Sequence, residues 1–144
     1  GAERAAVYTI ERFGLNEDKD DIVRENVAEN PKTGSLTLEE MAEHDAVIDV
    51  KLAALGNPNI PTRVIHRMAA GTGKRVRETI AGNISTPKTI LMKSARDRDT
   101  NVAYNVACNP NVPREALTIL AERRNIGILV AVVRNKNTPE EAFP

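Results

Sequence analysis

Residues 109–113 read Asn-Pro-Asn-Val-Pro, and variants of this turn recur through the 144-residue chain. The leading Asn residues of the five copies are separated by 27, 26, 26 and 26 residues, and they are Asn30, Asn57, Asn83, Asn109 and Asn135. A fixed period of roughly 20 to 50 residues is typical of repeat proteins, in which each copy is one supersecondary unit. The spacing therefore predicts about five copies of a single structural unit.

Apolar residues keep the same register around each Asn, and such residues build a core. Val or Ile stands seven residues before the Asn, a small or branched apolar residue two before it, and an apolar residue eight after it. These sets are Val23, Val50, Val76, Val102 and Ile128; Ala28, Leu55, Ala81, Ala107 and Val133; and Leu38, Ile65, Leu91, Leu117 and Phe143. Apolar positions four or five residues apart mark one face of a short helix. The Ala found twelve residues after the Asn in the first four copies indicates a close helix contact.

Prolines mark the predicted boundaries of the two helices in each copy. The residue before a proline is disfavoured in the α region, so the first helix should end at or before the Asn. Because proline suits the first helical position, we expect each second helix to begin at the proline that closes the turn, namely Pro61, Pro87, Pro113 or Pro139. Residues 138–141, Thr-Pro-Glu-Glu, have the spacing of a capping box. The Asn itself should end the helix and hydrogen-bond the backbone of the neighbouring copy.

The two ends of the chain depart from the repeat. Residues 2–13 form a predicted helix with Ala6, Ile10 and Phe13 on one face, which ends at a left-handed Gly14. Residues 1–16 are therefore predicted to be an N-terminal cap, followed by repeats over residues 20–144. Residues 126–133 are the most apolar run, and little chain follows them. We expect this end to be uncapped: either the chain was cut there, or the end packs on another surface.

Residues 23–31 (Val-Arg-Glu-Asn-Val-Ala-Glu-Asn-Pro) and residues 106–110 (Val-Ala-Cys-Asn-Pro) carry the best-preserved copies of the pattern. This pattern resembles the leucine-rich repeat variant family of bacterial proteins over about residues 20–144. The resemblance implies a right-handed superhelix of alternating α and 3-10 helices, and it implies no shared catalytic site. Some members add an N-terminal iron–sulfur region, which a chain with one Cys cannot form. HEAT-like repeats are the neighbouring alternative, but their period is about 40 residues or more.

The prediction for the fold is accordingly an all-α, right-handed solenoid of about five short two-helix repeats behind a capping helix. Each repeat combines an α-helix with a second α or 3-10 helix, and residues 1–144 form one domain. The single Cys108 excludes an internal disulfide framework and a thiolate cluster for a metal. No apolar run is long enough for a membrane helix, and the N-terminus lacks a signal-peptide pattern. We expect a cytoplasmic protein without a cofactor or a bound metal.

Three local motifs have simpler structural interpretations than the chemistry they suggest. Residues 71–74, Gly-Thr-Gly-Lys, lack the first Gly and the final Ser or Thr of a phosphate-binding loop. Residues 18–21 resemble the start of a calcium loop, but apolar residues follow where oxygen ligands are needed, and helix capping by Asp20 or Asp21 is favoured. His44 and His66 have no third ligand nearby in sequence. No nucleophile is paired with a base, so the chain is not expected to be an enzyme.

Charge is distributed unevenly, although the net formal charge is zero. Residues 1–50 carry 5 basic against 13 acidic residues, residues 51–100 carry 10 against 3, and residues 101–144 carry 5 against 4. Equivalent positions in stacked repeats align in space, so basic columns are expected at the centre. The predicted partner-binding residues are Lys51, Arg63, Arg67, Arg77, Lys93 and Arg96. An ordinary solvated surface is the alternative interpretation.

These features favour a non-catalytic protein-interaction or scaffold module. The expected partner is an acidic protein or another copy of the chain, because an acidic start and a basic centre are complementary. The alternative function is weak, salt-sensitive nucleic-acid binding through the basic columns. The shortage of aromatic residues, with only Tyr104 near the basic block, disfavours single-stranded nucleic acid.

Overall fold

The computed structural model describes residues 1–71 and 73–138. Across these residues the chain forms α-helices and one 3-10 turn, Leu15–Glu17, and contains no strand. The helices are α1 Ala2–Phe13, α2 Asp21–Glu29, α3 Ser35–His44, α4 Ile48–Leu55, α5 Thr62–Ala69, α6 Lys74–Gly82, α7 Lys88–Ser94, α8 Thr100–Cys108, α9 Arg114–Glu122 and α10 Ile126–Arg134. This order confirms the all-α helical-repeat prediction. None of the described helices is long and apolar enough to cross a bilayer.

Each copy begins with one helix of the series α2, α4, α6, α8 and α10, and these end one or two residues before the repeated Asn, as predicted. The second helices α3, α5, α7 and α9 are all α-helices of 7 to 10 residues, so the 3-10 helices implied by the family resemblance do not occur at these positions. A 3-10 segment is instead found only after α1 among the described residues.

The prediction that proline is the first residue of each second helix is wrong by one residue. Helices α5, α7 and α9 begin one residue after the proline. Pro87 and Pro113 keep extended ψ angles of 145° and 149°, and their carbonyls accept the first hydrogen bonds of the helix. These prolines therefore occupy the N-cap position, where the backbone is extended but the carbonyl already belongs to the helix. Pro139 lies outside the described residues.

The chain divides into two compact units, Gly1–Met68 (unit 1) and Ala69–Pro144 (unit 2). In unit 1, α4 packs against both α2 and α3, and in unit 2, α8 packs against both α6 and α10. The predicted core residues eight positions after the Asn are fully buried in four copies, and Phe143 lies outside the described residues. The residues two positions before the Asn are buried in the first four copies and exposed in the fifth, at Val133.

The N-terminal helix ends as predicted, and of its three predicted apolar residues Phe13 is the exception. Gly14 adopts φ 59°, the left-handed conformation that stops α1, and Ile10 is buried. Phe13 is 67% exposed and lies with its ring 5.7 Å from the Arg12 guanidinium carbon, so its predicted place on the apolar face is wrong. The chain turns at Gly14, and Leu15 of the 3-10 turn lines the same apolar cleft as Ile10.

Candidate interaction surface

The repeated Asn side chains join neighbouring copies through an Asn ladder, as the sequence predicts. Asn109 Nδ2 donates to the carbonyls of Ala81 and Asn83 at 2.9 Å each, and its Oδ1 accepts from the Asn111 N–H at 2.9 Å. Asn135 repeats these contacts one copy later, at 2.8 and 3.1 Å. Asn57 does the same in unit 1, at 2.8 Å to both carbonyls. These amides are occupied by backbone groups and are structural.

Two further sets of polar side chains hold the turns, and neither was predicted from the sequence. Asn residues two positions after the leading Asn donate to a carbonyl of the preceding copy, and they are Asn59, Asn111 and Asn137. Thr residues three positions after it donate to a carbonyl six residues earlier in their own copy, and they are Thr33, Thr86 and Thr138. Thr138 thus has its hydroxyl directed back to α10, and the rest of its predicted capping box lies outside the described residues.

Arg77, one of the six predicted binding residues, forms a bidentate ion pair inside unit 2. Its Nε and Nη2 lie 2.8 and 3.3 Å from the two carboxylate oxygens of Asp97, and both side chains are largely shielded. Partial burial opposes ionisation of Asp97, but hydrogen bonds from Arg77 and from the Asp99 N–H outweigh it and lower the pKa of Asp97. Arg24 and Asp45 form the same clip in unit 1. Arg77 therefore fixes the turn between two copies.

Arg63 and Arg67, two more predicted binding residues, are neutralised by α3 in unit 1. Arg63 donates through Nε and Nη2 to Glu39 at 3.0 and 2.6 Å, and Arg67 reaches the same carboxylate at 2.8 Å. Hydrogen bonds from Arg63, with a further one from Arg67, lower the pKa of Glu39. Arg67 also lies 2.9 Å from Glu43, as an ion pair without hydrogen-bond alignment. The acidic face of α3 thus offsets the basic face of α5.

The three remaining predicted residues differ in accessibility. Lys51 is half-buried on α4, where its charge contributes to the low pKa of Asp45. Lys93, near the end of α7, and Arg96, in the turn that follows, are both exposed. Neither is ion-paired with a carboxylate of a described residue. The structure places Lys51, Arg63 and Arg67 in unit 1 and the other three predicted residues in unit 2.

The balance of charge is opposite in the two units. Unit 1 contains 8 basic and 13 acidic residues, and unit 2 contains 12 basic and 7 acidic residues. Three acids of unit 2 are paired within it, since Asp97 binds Arg77, and carboxylate oxygens of Asp99 and Glu78 each lie 3.5 Å from Lys74 Nζ. The exposed cations Lys93 and Arg96 form no such ion pair with a described residue.

Other candidate chemistry is sparse in the described ranges. No group of three His, Cys, Asp or Glu side chains there has the geometry to hold a metal ion. Both His44 and His66 are exposed. Cys108 is exposed on α8 beside Tyr104, whose pKa is raised mainly by a hydrogen bond with the Cys108 thiol. Asp20 caps α2 through the Ile22 N–H, which confirms the capping interpretation of residues 18–21.

Comparisons with protein families, curated proteins and solved structures find no match to this chain. The geometry of the repeats is therefore the evidence for function. The repeated Asn and Thr side chains and the Arg77–Asp97 pair stabilise the fold. Among the predicted binding residues, Lys93 and Arg96 are exposed and form no ion pair with a described residue.

Proposed function

We propose that this chain is a non-catalytic, cytoplasmic protein-interaction module that binds an acidic protein segment at Lys93 and Arg96. The observation that carries the proposal is the difference between these two cations and the other predicted ones. Arg63, Arg67 and Arg77 are held by carboxylates, whereas Lys93 and Arg96 are exposed without an ion pair to a described residue. The resemblance of the turns to the leucine-rich repeat variant pattern also supports a binding role.

Lys93 and Arg96 are three residues apart, and both lie on the solvent side of α7 and its following turn. The surrounding positions on this side include the half-buried Met92 and the exposed Thr89. A carboxylate of the partner could pair with both cations there, and no internal salt bridge to a described residue would have to break first. Charges of this kind at an interface rim raise the association rate and fix specificity more than they raise affinity.

Phosphate groups are the competing ligands for the same two cations. In unit 2 the exposed aromatic side chain among the described residues is Tyr104, at 45% exposure. Binding of single strands gains about 1 to 3 kcal/mol for each base stacked on an aromatic ring. One platform of this kind favours a carboxylate-rich partner over single-stranded nucleic acid.

Reversal of both cations, Lys93→Glu with Arg96→Glu, is expected to weaken binding of a fluorescein-labelled Glu-rich peptide at least about tenfold, or roughly 1.4 kcal/mol. The binding of the unmodified chain should weaken as salt is raised, because the contact charges are exposed. Fluorescence anisotropy at low and near-physiological salt measures both effects, with labelled duplex DNA and single-stranded RNA as parallel probes.

The matched control is Arg4→Glu with Lys32→Glu, which changes the net charge equally at two exposed positions of unit 1. It should bind the Glu-rich peptide nearly as well as the unmodified chain. Equal weakening by both double variants would show that only net charge matters and would remove Lys93 and Arg96 as a site. Tighter binding of the nucleic acids than of the peptide would reject the acidic-protein proposal in favour of phosphate binding.

A further inference from the structure

Helix α10 exposes Val133, at a position that its counterparts in the other copies bury. Val133 is 65% exposed, whereas Ala28, Ala81 and Ala107, the equivalent residues of α2, α6 and α8, are fully buried. On the same helix, Ile126 is 80% and Val130 is 43% exposed, and their equivalents Ile48 and Tyr104 are also exposed, at 48% and 45%. Residues 126, 130 and 133 are spaced to lie on one side of the helix, so they form one exposed apolar stripe.

The repeat itself shows what normally packs on this face. The carbonyls of Ala28, Ala81 and Ala107 each accept a hydrogen bond from the ladder Asn of the following copy. That following copy brings its first helix against the previous one, as α10 does on α8 and α4 does on α2. The face of α10 that carries Val133 is therefore shaped to receive another first helix with a ladder Asn.

In unit 1, the amide donor of Asn30 forms no bond with a described residue. Asn30 Oδ1 accepts from the Lys32 N–H at 2.9 Å, as in every other copy, but its Nδ2 donates to no described residue. Asn30 lines a cleft of about 490 Å³ between α1 and α2, together with the apolar residues Ala6, Ile10, Leu15, Val23 and Val27. The side of α2 on which a preceding copy would pack is thus an apolar cleft. The Asn30 amide, which donates to no described residue, lies in its wall.

We propose that two copies of this chain associate head to tail, with the exposed stripe of α10 of one copy entering the α1–α2 cleft of another. Val130 and Val133 fill the cleft, and Asn30 donates to the Val133 carbonyl, which continues the Asn ladder across the contact. The contact uses different surfaces on the two copies, so it is heterologous. It does not involve Lys93 or Arg96, and it is independent of the function proposed above.

Charge complementarity supports a second copy as the occupant. The position one residue before the ladder Asn is Glu29 on α2 and Arg134 on α10, and both are exposed. Within unit 2, the Arg134 charge on α10 acts on Tyr104 of α8, the first helix of the preceding copy. A stacked contact of α10 on α2 would place the Arg134 end of one helix near the Glu29 end of the other, and the acidic excess of unit 1 would complement the basic excess of unit 2.

Sedimentation velocity of the 144-residue chain at increasing concentration, up to about 1 mM, detects self-association even when the dissociation constant is as high as about 1 mM. The unmodified chain should show species larger than a monomer. Val133→Glu should weaken association at least about tenfold, because it places a charge in an apolar cleft. Val133→Ala is the matched control, since Ala fills this position in three buried copies, and it should still associate.

Asn30→Asp tests the other surface with almost no change of shape. It keeps the oxygen that accepts from Lys32 and replaces the donor with a carboxylate that repels the Val133 carbonyl. We expect at least about tenfold weaker association. The urea midpoint of the monomer should stay close to that of the unmodified chain, because Nδ2 of Asn30 makes no internal bond to a described residue.

A mixture of the two impaired variants separates head-to-tail association from every symmetric arrangement. Asn30→Asp keeps an intact α10 stripe and Val133→Glu keeps an intact cleft, so the mixture should form a 1:1 complex that grows no further. A monomer at every concentration of the unmodified chain would overturn the proposal. So would full association of Asn30→Asp alone, which would indicate an α10–α10 contact, or a mixture that stays monomeric.

Discussion

Replacement of the ladder amide by Asn109→Ala should lower the free energy of unfolding by roughly 3 to 4 kcal/mol. Asn109 is 2% exposed and makes three hydrogen bonds, two to carbonyls of the preceding copy and one from Asn111. Its removal leaves the Ala81 carbonyl buried without its ladder donor, and a buried unsatisfied group costs about 1 to 3 kcal/mol. Urea denaturation followed by circular dichroism measures the change.

The same substitution at the first copy provides the control. Asn30→Ala loses only the contact from the Lys32 N–H, at an exposed turn, because no described residue accepts from its Nδ2. We expect a cost below about 1 kcal/mol. Equal costs at Asn109 and Asn30 would show that the amide acts within its own turn and that the bonds between copies contribute nothing. A larger cost at Asn109 assigns the stability to the ladder.

The fold was predictable because the sequence repeats both the turn and the core positions. Prolines and Asn residues act through local backbone conformation, so their effect on helix ends can be read without knowledge of the tertiary structure. The ladder followed from the same logic, since an Asn at one position of successive copies meets the same carbonyls of the copy before it, as Asn57, Asn109 and Asn135 do. Val133 shows the limit: its position predicts burial, but it is 65% exposed, because burial of this position depends on contact with another helix.

The binding surface was less predictable because a column of cations does not show which cations are already paired. Arg77 lies 20 residues before Asp97 in sequence, and Arg63 lies 24 residues after Glu39, so neither ion pair is a local pattern. The position of the clip carboxylate also differs between copies. Asp45 lies one residue further from Asn30 than Asp97 lies from Asn83, because the first copy is one residue longer than the third. The structure is therefore needed to tell which cations form internal ion pairs and which are exposed.

The second large effect is expected from Asp97→Asn, which should destabilise the chain by roughly 2 to 3 kcal/mol at neutral pH. The amide retains one acceptor for Arg77 but loses the charge and the second aligned oxygen. The guanidinium, whose side chain is 21% exposed, then loses its hydrogen-bonded counter-charge and retains the weaker charge effects of Asp99 and Glu78. Removal of one partner of a shielded pair costs more than the pair contributes in net terms, because the remaining charge stays desolvated. Glu122→Gln, at an exposed acid, should change stability by less than about 0.5 kcal/mol.

Acid titration gives this pair a signature that packing alone would not produce. The pKa of Asp97 is lowered in the folded chain, so the folded state binds the proton less tightly than the unfolded state does. Its stabilising contribution is therefore complete above about pH 5 and is lost as the pH falls through the folded-state pKa. Asp97→Asn should flatten this part of the stability profile, and the clip carboxylate Asp45, whose pKa is also lowered, should account for part of the remaining slope. A variant profile parallel to that of the unmodified chain would mean that the Arg77–Asp97 pair does not couple ionisation to folding, and its role would reduce to the shape of the turn.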